Sequence, residues 1–338
     1  MDNITHTLTG LVLSRAGLNR LTPHATAILV LSANVPDVDI VTAYDGALAY
    51  LDHHRGITHT LVMLPVVALA VVLVVALFSR GKKKSKLKWP GAFLAASFGV
   101  GSHLLLDWTN VYGIRMLKPF SSEWLRLDIV HVVDLWIWAI LLLGLAAPAL
   151  SRLVSSEIGA KPGSGRGAAI FALLMLLSYE YVRYLAHARA VAVLESRVYE
   201  PGPVSKVVAV PGPVNLFSWT GLIQGENYYM VVPVHLLREF DPTAGRIFFQ
   251  PEGRPEIEAA RSTEVFRRYL NFSRHPLWRV TPVDEPEGAI RVQAMDLRFG
   301  IPPEERFVVT AIVDQRLRVV RSEFSFGPFI GPQRAGSH

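Results

Sequence analysis

The chain has 338 residues, 51% of them apolar, with a positive mean hydropathy and a formal charge of +6. It contains no cysteine, which excludes disulfides and thiolate metal ligands. Six cations crowd into Arg80–Lys88, so the positive balance reads as a loop held against anionic headgroups and not as a nucleic-acid surface.

In chain order, Ile4 to Leu18 and His24 to Val35 are apolar but short for a hydrocarbon core of about 30 Å at about 1.5 Å per residue. They are expected to form a tight helical hairpin packed into a bundle. Asp2, Thr5 and His6 stand where a signal peptide would carry basic residues, so a cleaved signal is not expected. Pro36 discourages helix before it, placing Asp37 and Asp39 in a turn. One of them can bind or bridge a metal while the other orients a ligand histidine; the competing role is to cap the helix that follows.

The run His53-His54-Arg55-Gly56-Ile57-Thr58-His59 comes next. Thr58 is a candidate N-cap, which would start a span at Thr60 with His59 at its mouth and His54 and Arg55 folded over it. Thr60 to Ser79 carries no charge and is long enough to cross. By the positive-inside rule the basic loop Arg80–Lys88 then lies in the cytoplasm. Trp89 to Leu106 is the second expected span, with His103 and Asp107 four apart on one helix face, placed to share a metal or simply to hydrogen-bond. Ile129 to Leu150 is the third, with His131 and Asp134 three apart where it begins. Glu157 to Gly167 reads as a loop, and Ala168 to Val182 as a shorter fourth span whose Glu180 has Arg183 one turn on. This topology gathers Asp37, Asp39, His54, His59, His103, Asp107, His131 and Asp134 on the outer face.

After Glu195 the pattern changes. Glu200-Pro-Gly-Pro203 and Pro211-Gly-Pro213 punctuate the chain, and Tyr228–Val234, Arg291–Met295 and Arg306–Phe326 alternate as strands do. Pro255 to Phe272 reads as one amphipathic helix burying Ile257, Ala260, Val265, Tyr269 and Leu270. Residues 195–338 are therefore expected to form a small α+β domain outside the cytoplasm, following a helical domain over 1–190.

Ionisable groups beside hydrocarbon are costly and tend to be functional. The candidate metal ligands are His6, Asp39, His54, His59, His103, Asp107, His131 and Asp134, with Asp37 and Arg55 as candidate catalytic residues. Nitrogen and oxygen donors without thiolate suit zinc, manganese or iron, and bridging aspartates suit two divalent ions. A pair of ions is a standard device for phosphoester hydrolysis, where the fork of Arg55 would bind phosphate oxygens. A transporter would instead keep ligands near the bilayer midplane.

Four motifs, in order, carry a resemblance. The start Met-Asp-Asn-Ile-Thr-His6-Thr-Leu-Thr-Gly10, the turn Pro36-Asp37-Val-Asp39, the run His54-Arg55-Gly56-Ile-Thr58-His59 and the helix His103-Leu-Leu-Leu-Asp107 resemble the bacterial membrane-bound metal-dependent hydrolases related to YdjM, over roughly residues 1–150. That family in turn resembles zinc-dependent phospholipase C. The resemblance implies ligands at Asp39 or Asp37, His59, His103 and Asp107, and a multi-pass α-helical membrane bundle with a phospholipase C-like core. The expected function is hydrolysis of an ester or phosphoester of a lipid or lipid-linked molecule at the outer face of the cell membrane. The alternative is a non-enzymatic membrane protein with a structural metal and a partner-binding outer domain.

Overall fold

The computed structural model describes residues 1–79, 86–158 and 165–327, with backbone alone over 150–158. Most of the basic loop, residues 80–85, lies outside the described residues. The chain divides into two compact units. The first comprises Met1–Asp39, Arg55–Ala190 and Pro211–Trp219, and the second Ile40–His54, Val191–Val210 and Thr220 onward.

The first unit is helical. Helix α1 (Asn3–Ala16) starts where the Asp2 carboxylate accepts the Ile4 and Thr5 N–H groups and stops at Gly17, whose φ of 133° ordinary residues avoid. Helix α2 (Ala25–Asn34) packs against α1 as the expected hairpin. Pro36 offers no N–H for the α ladder, and the chain continues as a 3-10 stretch, Val35–Asp45. With that continuation Ala25–Asp45 reaches 21 residues, long and apolar enough to cross a membrane, so the second arm of the hairpin is longer than the sequence suggested.

Two expected spans start later than their apolar runs. Helix α4 begins at Leu64, not Thr60, because Thr60 Oγ1 accepts the Met63 N–H in a turn, and it ends at Phe78. Thr58 therefore caps no α-helix; it lies in the 3-10 turn Ile57–His59. Helix α6 (Leu135–Ile158) begins after Asp134, whose carboxylate accepts the Trp136 and Ile137 N–H groups. His131 and Asp134 thus precede the helix instead of sharing a face of it. Helix α5 (Trp89–Thr109) matches expectation, and α7 (Arg166–Glu195) runs well past Val182. Helices α6 and α7 extend into both ends of the expected Glu157–Gly167 loop, of which residues 159–164 lie outside the described residues. Among the described residues there are three candidate spans, Ala25–Asp45, Trp89–Thr109 and Arg166–Glu195, or four if Ala47–His59 and Leu64–Phe78 count as one bent span.

Helices in lipid gain little from hiding apolar surface from one another and associate through close packing of small residues. Gly91, Ala95 and Gly99 form such a row on α5. A β-carbon on Gly99 would fall 1.9 Å from Ser32 Oγ and 2.9 Å from the Leu29 carbonyl, and one on Gly91 would fall 2.2 Å from the Leu21 carbonyl. This brings α5 backbone-close to α2. Ile28, Leu29, Ala68, Val72, Ala92, Ala96 and Val100 make the core there. A second cluster joins Val12, Leu106 and Ile137 to Ala169 and Ala172. Arg183, one turn on from Glu180, turns to main-chain oxygens. It donates to the Ile129 carbonyl (2.9 Å) and the Leu216 carbonyl (2.6 Å) and lies over the Trp219 ring, which ties Pro211–Trp219 into this unit.

The second unit holds two four-stranded sheets. Strands β1 (Val204–Pro211), β2 (Ser218–Gly225), β3 (Tyr228–His235) and β4 (Arg246–Phe249) lie in sequence order, as do β5 (Pro276–Val283), β6 (Ala289–Asp296), β7 (Val308–Val313) and β8 (Val319–Ser325). The second sheet is antiparallel, with Trp278 opposite Ala294 and Val292 opposite Ala311. The expected Pro255–Phe272 helix is two helices, α8 (Pro255–Arg261) and α9 (Glu264–Phe272), because Thr263 breaks the run and caps α9 through Phe266 N–H. Phe266, Tyr269 and Phe272 are its buried face, whereas Val265 and Leu270 are only half-buried. Helix α3 (Ala47–His53) also belongs here and packs on α9 and β8.

A buried ion pair locks this unit. Arg298 donates to both Asp296 oxygens and to the Phe272 carbonyl, with its guanidinium 5.1 Å from the centre of the Phe272 ring and 4.8 Å from that of Phe299. Burial pushes the Asp296 carboxyl up, but the charge and hydrogen bonds of Arg298 prevail and hold it below the usual carboxylate range.

Candidate metal centre

Four buried side chains of the first unit converge: Asp37 from the 3-10 stretch, His59 from the turn before α4, and His103 and Asp107 from α5. One ligand atom from each lies within 4.8 Å of every other. The close approach at Gly99 matters one turn later, where His103 Nδ1 meets the Ala33 carbonyl at 2.7 Å.

That contact fixes a tautomer. A carbonyl only accepts, so His103 carries its proton on Nδ1 and presents a lone pair at Nε2. The same holds for His59. Thr58 donates its single hydroxyl proton to Asp39 Oδ2 (3.2 Å), so its oxygen accepts from His59 Nδ1 (3.0 Å), which also faces Asp39 Oδ2 at 3.3 Å. The two Nε2 atoms are 3.1 Å apart. Asp37 Oδ1 is 3.3 Å from that of His59 and 3.7 Å from that of His103, and Asp107 Oδ2 is 3.6 Å and 3.4 Å from the same two atoms.

Two imidazole Nε2 atoms and two carboxylates facing one another fit a cation. A tetrahedral ion with ligands at about 2.1 Å separates them by about 3.4 Å, and the measured separations scatter around that value. The donor set, two imidazoles and two carboxylates, suits zinc, manganese or iron.

Positive groups flank the cluster. Arg55 Nη2 lies 3.1 Å from Asp107 Oδ1, and the Met1 amino group bonds the same oxygen. Arg55 is 2% exposed and adopts a φ of 54°, a left-handed conformation that costs a non-glycine residue roughly 1 kcal/mol or more. Three contacts hold it there: its N–H to Asp39 Oδ2 (2.9 Å), Nη1 to Asn110 Oδ1 (3.0 Å) and Nη1 to the Gly113 carbonyl (3.0 Å). Its Nε has no hydrogen-bond partner among the described residues, so donor capacity remains for an incoming anion. His6 stacks on His103 with ring centroids 3.7 Å apart, and its Nε2 is 3.5 Å from Asp107 Oδ1.

The expected residues are thus not all in one place. Asp37, His59, His103 and Asp107 form the ligand set, Asp39 stands behind His59, and His6 and Arg55 lie against Asp107. His54 stacks its ring on Tyr50 and, with Asp37 and Asp39, makes a second group of three whose ligand atoms lie within 4.8 Å of one another. Asp134 caps α6 and accepts the Tyr179 hydroxyl at 2.9 Å, and His131 lies in the loop before it; neither joins the four. Asn110 was missed. Its amide oxygen accepts from Arg55, Tyr112 N–H and Gly113 N–H, and its nitrogen faces Asp107 Oδ1 at 3.5 Å. Its place three residues after Asp107, as the residue that ends the same helix, was the available signal.

A helical unit with apolar spans around a buried histidine–aspartate cluster defines a membrane protein with a metal-type centre. The model of the YdjM inner membrane protein family matches residues 1–190, and the chain belongs to that family. It is 25% identical over 344 residues to the uncharacterized protein YfhP of Bacillus subtilis (strain 168), across 96% of this chain and 94% of that one. No solved structure matches it.

Proposed function

We propose that the protein is a membrane metallohydrolase that cleaves an ester or phosphoester of a lipid or lipid-linked molecule. One observation carries the reading: four buried donors at tetrahedral spacing beside a buried arginine with an unused N–H. Asp37, His59, His103 and Asp107 would hold a divalent ion, which when bound supplies an electrophile and makes water nucleophilic near neutral pH. Arg55, fixed by Asp107, Asn110 and Gly113, binds the oxygen on which negative charge builds. Asp37 is the most exposed carboxylate of the set, at 9%, and takes the proton of the attacking water. His6 and Asp39 hold His103 and His59 in orientation. The resemblance to zinc-dependent phospholipase C supports this assignment, as does the order of the ligands along the chain. The basic loop supports a site and β unit on the outer side, and two ions remain part of the proposal.

A second reading has an observation of its own. Four protein donors close a tetrahedron, as structural sites do, whereas catalytic sites keep a position open. In that reading the ion staples the helices and the β unit binds a partner. The test is elemental analysis of detergent-purified protein with His59→Ala and His103→Ala, joined to hydrolysis assays on phospholipids and lipid phosphates. Metal in the wild type, lost in both variants, with hydrolysis that follows metal content, supports the enzyme. Metal without hydrolysis across the lipid panel favours the staple, and protein that takes up no metal on reconstitution overturns both.

A further inference from the structure

The ligand-bearing segments have an unusual outer side. Asp37 and Asp39 are buried, and Val38 between them is 52% exposed; His59 is buried, and Ile57 is 66% exposed. Leu61 and Val62 follow in the same manner after buried Thr60. The Leu61 N–H donates to the Met116 carbonyl (3.0 Å), tying this rim to the loop that exposes Leu117 and Phe120. The exposed residues of the ligand-bearing segments themselves, Val38, Ile57, Leu61 and Val62, are therefore apolar, where a mouth opening to water would be polar. The chain then runs into α4, whose exposed residues include Val66, Leu69 and Leu73.

We infer that this rim rests among lipid acyl chains just below the headgroups, and that the centre opens sideways to the bilayer. The depth follows from the backbone. A 3-10 stretch and a turn leave polar main-chain groups that mid-bilayer hydrocarbon does not tolerate, whereas the boundary accepts both these and the apolar side chains. The substrate class follows from the entry route. Resting on the proposed hydrolase activity, the substrate is a membrane lipid whose acyl chains lie along Val38, Ile57, Leu61 and Val62 while its ester or phosphoester reaches Asp37 and Arg55; a water-soluble phosphoester would meet no complementary surface.

The absence of cysteine makes the test direct. Full-length Val38→Cys, Ile57→Cys and Leu61→Cys, loaded with zinc, are labelled with bimane and placed in phosphatidylcholine nanodiscs, with Leu237→Cys on the β unit as control. Lipids brominated near the top of the acyl chain should quench the first three labels and not the control, and aqueous iodide should do the reverse. Iodide quenching of the rim labels overturns the inference. So does quenching by neither agent, which would mean that protein covers the rim. In a second arm, Ile57→Asn and Leu61→Asn should keep their metal and lose about tenfold or more on dioleoyl phosphatidylglycerol, the size of one lost apolar contact, and lose less on the dihexanoyl form, whose short chains reach less of the rim. An unchanged ratio overturns the substrate assignment. If wild type cleaves neither lipid, the hydrolase reading fails while the quenching result still decides where the rim lies.

Discussion

The most consequential residue is Asp107, which faces three imidazoles, a guanidinium and an amino group at once. Asp107→Asn would leave Arg55 buried without its counter-charge, a loss of about 3–5 kcal/mol. The expected outcome is a thermal transition of the helical unit lowered by several degrees together with loss of bound metal. Arg55→Lys separates charge from shape. Lysine keeps the positive charge but cannot reach Asp107, Asn110 and Gly113 together, so metal content should persist while hydrolysis drops about tenfold or more; equal activity in the two proteins would remove Arg55 from the reaction. In the β unit, Asp296 has a depressed pKa, so the stability it contributes is fully present above its unfolded value of about 3.9 and is lost as pH falls through the folded value. Asp296→Asn should therefore cost stability at pH 7 and make acid unfolding below about pH 4 less steep. Urea titrations at several pH values would show it.

At the scale of elements, the decisive contact is the glycine row on α5. Gly99→Leu would push α5 from α2 at Ser32 and withdraw His103 from the Ala33 carbonyl. Overpacking of this kind costs about 1–3 kcal/mol, but metal affinity should suffer more, because the lost hydrogen bond orients a ligand. Competition with a fluorescent chelator measures it, and an affinity within twofold of wild type would refute the coupling. Elements were legible where one local signal dominated. The His103/Asp107 pairing followed from helix periodicity, and the hairpin of α1 and α2 from the shortness of its two apolar runs. The starts of α4 and α6 did not, because apolar runs say where a chain is oily and not where Thr60 turns it or Asp134 caps it. Thr263 split one expected helix in two for the same reason.

For the whole molecule, composition and motif order were enough to indicate a helical membrane part, a β-rich remainder and a histidine–aspartate centre. The composition of the ligand set was less legible. Which aspartate faces the histidines depends on the phase of a 3-10 stretch, and the tautomer of His103 depends on a main-chain carbonyl seventy residues away in sequence. Neither leaves a trace in residue spacing. Two compact units also predict two thermal events: chelation should remove RT ln(1 + [L]/Kd) of stability from the helical unit, lowering its transition, and leave that of the β unit in place. Calorimetry with and without chelator separates them, and a single transition that shifts as one would show that the units unfold together.

The interleaving of the chain has a consequence for its biosynthesis. Helix α3 lies in sequence between Asp39 and Arg55, yet Tyr50 finds Phe326 and Asp52 finds Arg268. At about 5–20 residues per second, α9 leaves the ribosome tens of seconds after α3, since about 210 residues separate them. Through that interval the segment 40–54 is a tethered strand of unfinished chain beside nascent metal ligands. A ribosome stalled before residue 264 should therefore expose Tyr50 to protease, and adding metal alone should not protect it.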